Sequence, residues 1–156
     1  MTTSIYLRTH LPSPIKITSF LDQHIEGIDF IDSCHSTTNA VALTPLHSET
    51  HQQLDEYFSG KRLCFSLPYK FSGTKFQEQC WTSLLKIPYG ITWSYAEQAA
   101  NIGNSKACRA VGNANRKNPL PIIIPCHRII GKDGSLTGFG GGLQWKQFLL
   151  DGEQQG

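Results

Sequence analysis

The chain has no apolar run long enough to cross a bilayer, which takes about 20 predominantly apolar residues, so no membrane partner is expected. Its first residues, MTTSIYLRTHLPSP, contain no apolar signal-peptide core, so a cytoplasmic, reducing setting is expected. It has no CxxC pair. Its five cysteines (34, 64, 80, 108 and 126) are odd in number, which fits free thiols better than a disulfide framework or a zinc ribbon. Charge is slightly sparse at 17%. Acids are missing from one long stretch: between Gln98 and Lys132 stand six cations (Lys106, Arg109, Arg116, Lys117, Arg128 and Lys132) and no Asp or Glu.

That local absence turns a small net charge of +2 into an asymmetry. Residues 1–60 carry seven acids and two bases, whereas the remainder carries twelve bases and five acids. A surface of one sign attracts polyanions, and this one abuts a cysteine, so nucleic acid is favoured over a merely solvated basic face. The length of 156 residues is enough for a buried core without staples.

The expected fold class is α+β: a small N-terminal α/β subdomain over residues 1–69, built from a β-meander plus a helix, and a mostly helical C-terminal domain over 70–156. Residues 4–11, 15–21 and 24–32 read as strands separated by Pro12–Ser13–Pro14 and Asp22–Gln23. Glu49 to Ser59 reads as a helix with Leu54, Tyr57 and Phe58 at helical spacing, and Leu63–Leu67 as a further short strand. Cys34, His35, His47 and His51 match no metal-ligand spacing, so no metal is expected.

The C-terminal part begins with capping boxes. Thr74 with Gln77 opens a helix from Lys75 to about Lys86, and Ser94 with Glu97 opens another over Tyr95–Asn101. Ser105 is the expected cap of a third, Lys106 to about Ala114, so the last two form a helix-turn-helix. That third helix combines Ala107, Ala110, Gly112 and Ala114 with one long cation, Arg109. Small residues allow close approach, either to the protein itself or to DNA with Arg109 reaching inward. Asn118–Pro119–Leu120–Pro121 leads into Ile122–Ile130, IIIPCHRII, read as a buried strand stopped by Pro125. Cys126 there is either a nucleophile or a buried structural thiol. Thr137–Gly142, TGFGGG, lacks the strand–GxGxxG–helix order of a dinucleotide site, and its backbone N–H groups can instead line a pocket beside Phe139. A last helix is expected over Leu143–Leu150.

The segments RAVGNAN, NPLPIIIPCHRIIGKDGSLTGFGGG and the terminal LL–x–x–E resemble the O6-alkylguanine-DNA alkyltransferases (methylated-DNA–protein-cysteine methyltransferases). GTKFQEQCW, ITWSYAEQAA and EYFSGKRLCFSLP fit the same family. The resemblance implies transfer of an alkyl group from O6-alkylguanine, and also O4-alkylthymine, in duplex DNA to Cys126, once per molecule and without a cofactor, after the nucleotide is flipped out. It implies that His127 takes the thiol proton through a water, that Glu153 orients His127, and that Asn118 braces the active loop. Tyr95 and Lys146 would assist the leaving guanine, and Arg109 would fill the gap in the duplex. Ala110, Gly112, Ala114, Ser94, Lys106 and Arg116 would contact DNA. Trp93, Pro121, Ile129, Phe139 and Gly140 would form the guanine pocket, and Arg128 would tie elements together. The partner would be double-stranded DNA and the protein a monomer, working in the nucleoid or nucleus according to cell type. Family members often have Tyr where Phe139 stands and His where Gly152 stands, and the N-terminal zinc ligands of some are not reproduced.

The chemistry accounts for these parts. Displacement at an alkyl carbon needs a thiolate, hence a histidine held by a carboxylate. The departing guanine gains negative charge, hence donors near O6. A base within a duplex is out of reach, hence flipping. Docking through small residues suits the minor groove, which is read with little sequence preference. Three other readings use some of the same features: a lesion-binding relative without the acceptor cysteine, a Cys–His hydrolase, and a helix-turn-helix regulator. Cys126 argues against the first, its immediate adjacency to His127 against the second, and the scarcity of polar side chains on the third helix against the last.

Overall fold

The computed structural model describes residues 1–7, 11–32 and 43–155. Three antiparallel strands come first: β1 (Thr2–Leu7), β2 (Ile15–Phe20) and β3 (His24–Phe30), in the order β1-β2-β3. The meander is as expected. In β2 the inward positions are Ile15, Ile17 and Ser19, a period of two that buries one face. Ile17 faces Ile5 on one side and Ile28 on the other. Part of the first expected strand, and Cys34 and His35 of the discarded metal grouping, lie outside the described residues.

Helix α1 (Pro45–Phe58) covers the sheet. It starts four residues before the expected Glu49, because Thr44 accepts a hydrogen bond from the His47 N–H and Pro45 sits in the first turn, where its missing N–H has no partner to lose. Leu63–Leu67 is not a strand. Its backbone is held by a side chain instead: the Ser66 N–H donates to Gln53 Oε1 at 2.9 Å.

The expected capping boxes are present in α2 (Lys75–Leu84) and in α3 (Tyr95–Asn101), which follows the two-residue strand β4 (Trp93–Ser94). Helix α4 (Cys108–Arg116) begins two residues later than expected, and Ser105 does not cap it. The chain from Asn104 to Ala107 closes instead as a turn, with the Ala107 N–H bonded to the Asn104 carbonyl at 3.0 Å. A buried amide pair fixes the helix-turn-helix on α2. Gln98 and Asn115 exchange hydrogen bonds at 2.8 and 3.1 Å, while Gln98 Nε2 also donates to the Cys80 carbonyl and Ser83 Oγ.

The segment Ile122–Ile124 is buried but is a turn rather than a strand, and Ile122 has φ +77°. A β-branched residue there is strained, by about 1–3 kcal/mol. Prolines at 119, 121 and 125 withhold N–H groups that a ladder would need. Cys126 therefore stands at the head of a single 3-10 turn, Cys126–Arg128, and is followed by β5 (Ile129–Ile130). Strand β5 pairs in parallel with β4, Trp93 opposite Ile129, which brings the start of the helix-turn-helix beside the cysteine. Helix α5 (Leu143–Gln155) runs five residues beyond Leu150 and so carries Glu153.

The two halves are joined closely. The Ile25 N–H bonds the Pro68 carbonyl, the Lys70 N–H bonds the Ile25 carbonyl, and the Ile28 N–H bonds the Pro119 carbonyl. Trp145 on α5 packs on Phe30 and donates to Ser13 Oγ at 2.8 Å.

His47 is wholly buried, with Nε2 2.9 Å from Ser19 Oγ and Nδ1 unpartnered within the protein. Burial lowers its pKa, opposed in part by Asp22. Below about pH 6.5 the unfolded chain therefore binds a proton here more readily than the folded one, so stability is full above that pH and falls on acidification. His47→Gln should flatten this acid limb, read as a smaller loss of urea midpoint between pH 7 and pH 5 than in the parent protein.

Candidate active site

Cys126 is 8% exposed and belongs to the main core cluster with Leu120, Ile122–Ile124, Ile129 and, on α5, Trp145 and Leu149, with Phe139 of the glycine loop packed against that cluster. The loop geometry rests on Asn118. Its Nδ2 donates to the Ile124 carbonyl at 2.8 Å and its Oδ1 accepts the Leu120 N–H at 3.0 Å, which clamps the strained Ile122 turn on both sides. Burial dominates and pushes the Cys126 thiol up to about 11, against smaller opposing effects from Asn118 and the Lys146 charge.

His127 is fully buried, with Nε2 2.8 Å from Glu153 Oε1. Burial holds its pKa below the ordinary imidazole value, with Glu153 opposing. Burial alone would raise the Glu153 carboxyl, but hydrogen bonds from His127, Arg128 and Tyr57 win and hold it well below the usual carboxylate range. An ionised Glu153 only accepts, so the proton on neutral His127 sits on Nε2. Nδ1 is left with a free lone pair, and this buried atom has no hydrogen-bond partner among the described residues. The arrangement is a thiol beside an imidazole whose basic nitrogen is uncommitted and whose other nitrogen is anchored.

Arg128 grips Glu153 through Nε (3.0 and 3.1 Å) and Nη2 (2.8 Å) and reaches the Ile87 carbonyl through Nη1 at 2.6 Å. It thus joins α5 to the loop after α2. The Gly90 N–H donates to Glu153 Oε2 at 3.1 Å. Lys146 is fully buried one turn into α5, and Nζ donates to the Thr137 carbonyl at 2.9 Å. Burial brings its pKa down to about 8. Tyr95 OH donates to the same carbonyl at 3.2 Å and accepts from Thr137 Oγ1 at 3.1 Å. The two expected proton donors therefore converge on one residue of the glycine loop.

Of the expected pocket residues, Pro121 and Ile129 are buried, Trp93 and Phe139 are half-buried, and Gly140 is exposed. Phe139 lies 5.3 Å from Phe30, ring to ring, and Gly141 rests on the Phe30 face so closely that an added Cβ would come within 2.7 Å of it. The residues expected to meet DNA fall on two sides of α4. Arg109, Ala110, Lys106 and Arg116 are exposed, whereas Ala114 faces inward, buried against α2 and accepting the Trp81 indole N–H at 2.9 Å. Ala114 is small because it packs on its own protein, so its side chain is not on the outer face. Gly112 lies against Tyr95, and Arg116 lies against Gly138. Ser94 is engaged as the N-cap of α3. An open groove of about 340 Å³ runs between Tyr95, Arg109, Gly112, Arg116 and Gly138.

A family model described as the DNA binding domain of 6-O-methylguanine DNA methyltransferase matches residues 75–155, and one described as its ribonuclease-like domain matches residues 14–71. The chain belongs to the methylated-DNA–protein-cysteine methyltransferase family. It is 47% identical over 140 residues to the constitutive methylated-DNA–protein-cysteine methyltransferase of Bacillus subtilis, covering 89% of this chain and 84% of that one. It is 42% identical over 158 residues to that of Haemophilus influenzae, covering 97% and 88%. Among solved structures it is similar to Mycobacterium tuberculosis OGT in complex with DNA, with a TM-score of 0.83, 36% identity, and coverage of 99% of this chain and 92% of that one. Its α+β architecture matches that structure. Among the described residues, no helix is long and apolar enough to cross a membrane.

Sequence reasoning missed Tyr57. Its hydroxyl donates to Glu153 Oε1 at 2.6 Å and lies 3.3 Å from His127 Nε2. On α1 it read as one more apolar-face aromatic. It also missed Tyr89, whose ring lies under the Arg128 guanidinium at 5.9 Å, and Thr137.

Glu153→Gln should strip Arg128 of its buried counter-charge and leave an amide N–H₂ facing donors. The expected loss is about 3–5 kcal/mol of stability, measured as a shift in denaturant midpoint, with the acceptor reaction lost in parallel.

Proposed function

We propose that this protein repairs O6-alkylguanine, and O4-alkylthymine, in duplex DNA by moving the alkyl group onto Cys126, once per molecule. The observation that carries the reading is the buried His127–Glu153 pair, with His127 immediately after Cys126 in the chain and Glu153 ionised and multiply held, in a member of this methyltransferase family. The Cys126 proton passes to His127 Nδ1 across one water, and the sulfur attacks the alkyl carbon in line with O6. The C–S bond forms as the C–O6 bond breaks, and its electron pair stays on the guanine. The base is restored with the proton that left the sulfur, delivered to N1. Tyr95 and Lys146, converging at Thr137, supply donors where the leaving base gains charge. The thioether left on Cys126 is a poor target for hydrolysis, so the protein is consumed.

The exposed face of α4 supports docking in the minor groove, with Arg109 taking the place of the flipped nucleotide. Lys106 and Arg116 would contact phosphates and Ser94 the backbone near its cap. Trp93, Pro121, Ile129, Phe139 and Gly140 would hold the base. The N-terminal part, up to about residue 69, would support the part from residue 70 onward, in a monomer working wherever the cell keeps its DNA.

Incubation with a duplex bearing O6-methylguanine should add the mass of one methyl to the intact protein and nothing to Cys126→Ser. A wild type that gains no mass would mark a binding-only relative, and sustained turnover would exclude self-consumption. The rate should climb with pH as His127 loses its proton, at a pH that burial sets below the ordinary imidazole value, and decline above about 8 as Lys146 loses its charge. In Lys146→Met the reaction should slow and that alkaline decline should vanish from the pH–rate profile.

A further inference from the structure

We infer that Tyr57, on the N-terminal helix α1, is a positioning residue for the acceptor reaction, fixing Glu153 and the proton-bearing nitrogen of His127. The inference rests on the alkyl-transfer reading above and assigns part of that site to the other half of the chain. Its first support is geometric. The Tyr57 hydroxyl has one proton and two acceptors in range, Glu153 Oε1 at 2.6 Å and His127 Nε2 at 3.3 Å. The short, charge-assisted bond takes the proton, so the hydroxyl donates to Glu153. Its oxygen then faces the Nε2–H as a second acceptor beside the carboxylate. Were the Nε2 lone pair turned toward Glu153 instead, it would confront a carboxylate at 2.8 Å with no proton between them. The triangle of Tyr57, Glu153 and His127 therefore holds one tautomer only, the one with a basic Nδ1.

The second support is charge. As His127 takes the thiol proton it becomes an imidazolium buried beside Arg128, an unfavourable neighbour. Glu153 is shared with that arginine, so a further oxygen at Nε2 offsets part of the repulsion at the moment the thiolate forms. Burial and Glu153 together drive the Tyr57 hydroxyl far above its ordinary pKa, so it remains a donor at every working pH.

The third support is anchoring. Tyr57 is 5% exposed, and its ring is set by Tyr89 at 6.0 Å edge-on, by Phe65 at 5.2 Å and by Phe58 at 5.6 Å. The hydroxyl is thus held by α1 rather than by the active-site segment. A shift of α1 against α5 would be felt at His127.

The test measures the first-order transfer rate at saturating O6-methylguanine duplex, and separately the affinity for that duplex, in wild type, Tyr57→Phe and Phe65→Leu. Phe65→Leu loosens the same ring packing and keeps the hydroxyl, so it registers any effect of lost packing. Thermal midpoints monitor folding in all three. Loss of the outer partner of a metal-ligating imidazole typically costs about 10–100-fold, and the orienting role of such a partner is the same here. Tyr57→Phe should show a loss near the lower end of that range with DNA affinity unchanged, and Phe65→Leu, which keeps the hydroxyl, should melt earlier while slowing distinctly less than Tyr57→Phe. Equal rates in wild type and Tyr57→Phe would overturn the inference, as would equal slowing in both variants. A wild type that takes up no methyl would instead overturn the alkyl-transfer reading itself.

Discussion

The buried carboxylate of Glu153 is the constraint on which the active site depends. It is 4% exposed, yet four residues from three separate parts of the chain donate to it: Tyr57 from α1, the Gly90 N–H, and His127 and Arg128 from the 3-10 turn. A charge so far from water is tolerable only with full hydrogen bonding and a counter-charge. Every element supplying a donor is thereby fixed against α5. The adjacent residues His127 and Arg128 divide the work. One anchors Nε2 on the carboxylate and leaves Nδ1 uncommitted among the described residues, and the other balances the charge and reaches the Ile87 carbonyl.

A second constraint sets the glycine loop. Residues 137–142 have little side chain with which to order themselves, and they are placed by what they lie against. Gly141 sits on Phe30, Phe139 packs beside the same ring, and Thr137 receives Tyr95 and Lys146. Phe30 is the last residue of β3. The N-terminal sheet therefore packs on the glycine loop on one side as α1 bonds the carboxylate on the other.

Some local signals in the sequence were read correctly: Thr74–Gln77 and Ser94–Glu97 are complete capping boxes, and the three-stranded meander follows period-two burial. Others were not: Thr44, rather than a residue near Glu49, caps α1, and Ser105 does not cap α4. The remaining failures were less local. Three isoleucines suggested a strand, but prolines on both sides and the Asn118 clamp force a turn that local β-propensity disfavours. Ala114 belonged to a run of small residues that looked uniformly suited to DNA, yet 3.6-residue periodicity turns it inward onto Trp81. Tyr57 was invisible because nothing in α1 signals that its hydroxyl meets a carboxylate 96 positions away.

The placement of Cys126 fits a residue that is used once. Burial keeps it a thiol, with its pKa near 11, and the same burial brings Lys146 down to about 8 while leaving it charged at neutral pH. A thiol so held reacts slowly with small oxidants and alkylating agents, since the thiolate is the nucleophile. Under the proposed reaction it becomes reactive only when a base fills the pocket, placing an alkyl carbon against the sulfur and giving the displaced negative charge a stable home on guanine. The positive environment then assists twice, since Lys146 favours the thiolate before transfer and the guanine anion after it. Under that proposal the same burial both keeps the unbound thiol protonated and lowers the pKa of the Lys146 that favours the thiolate.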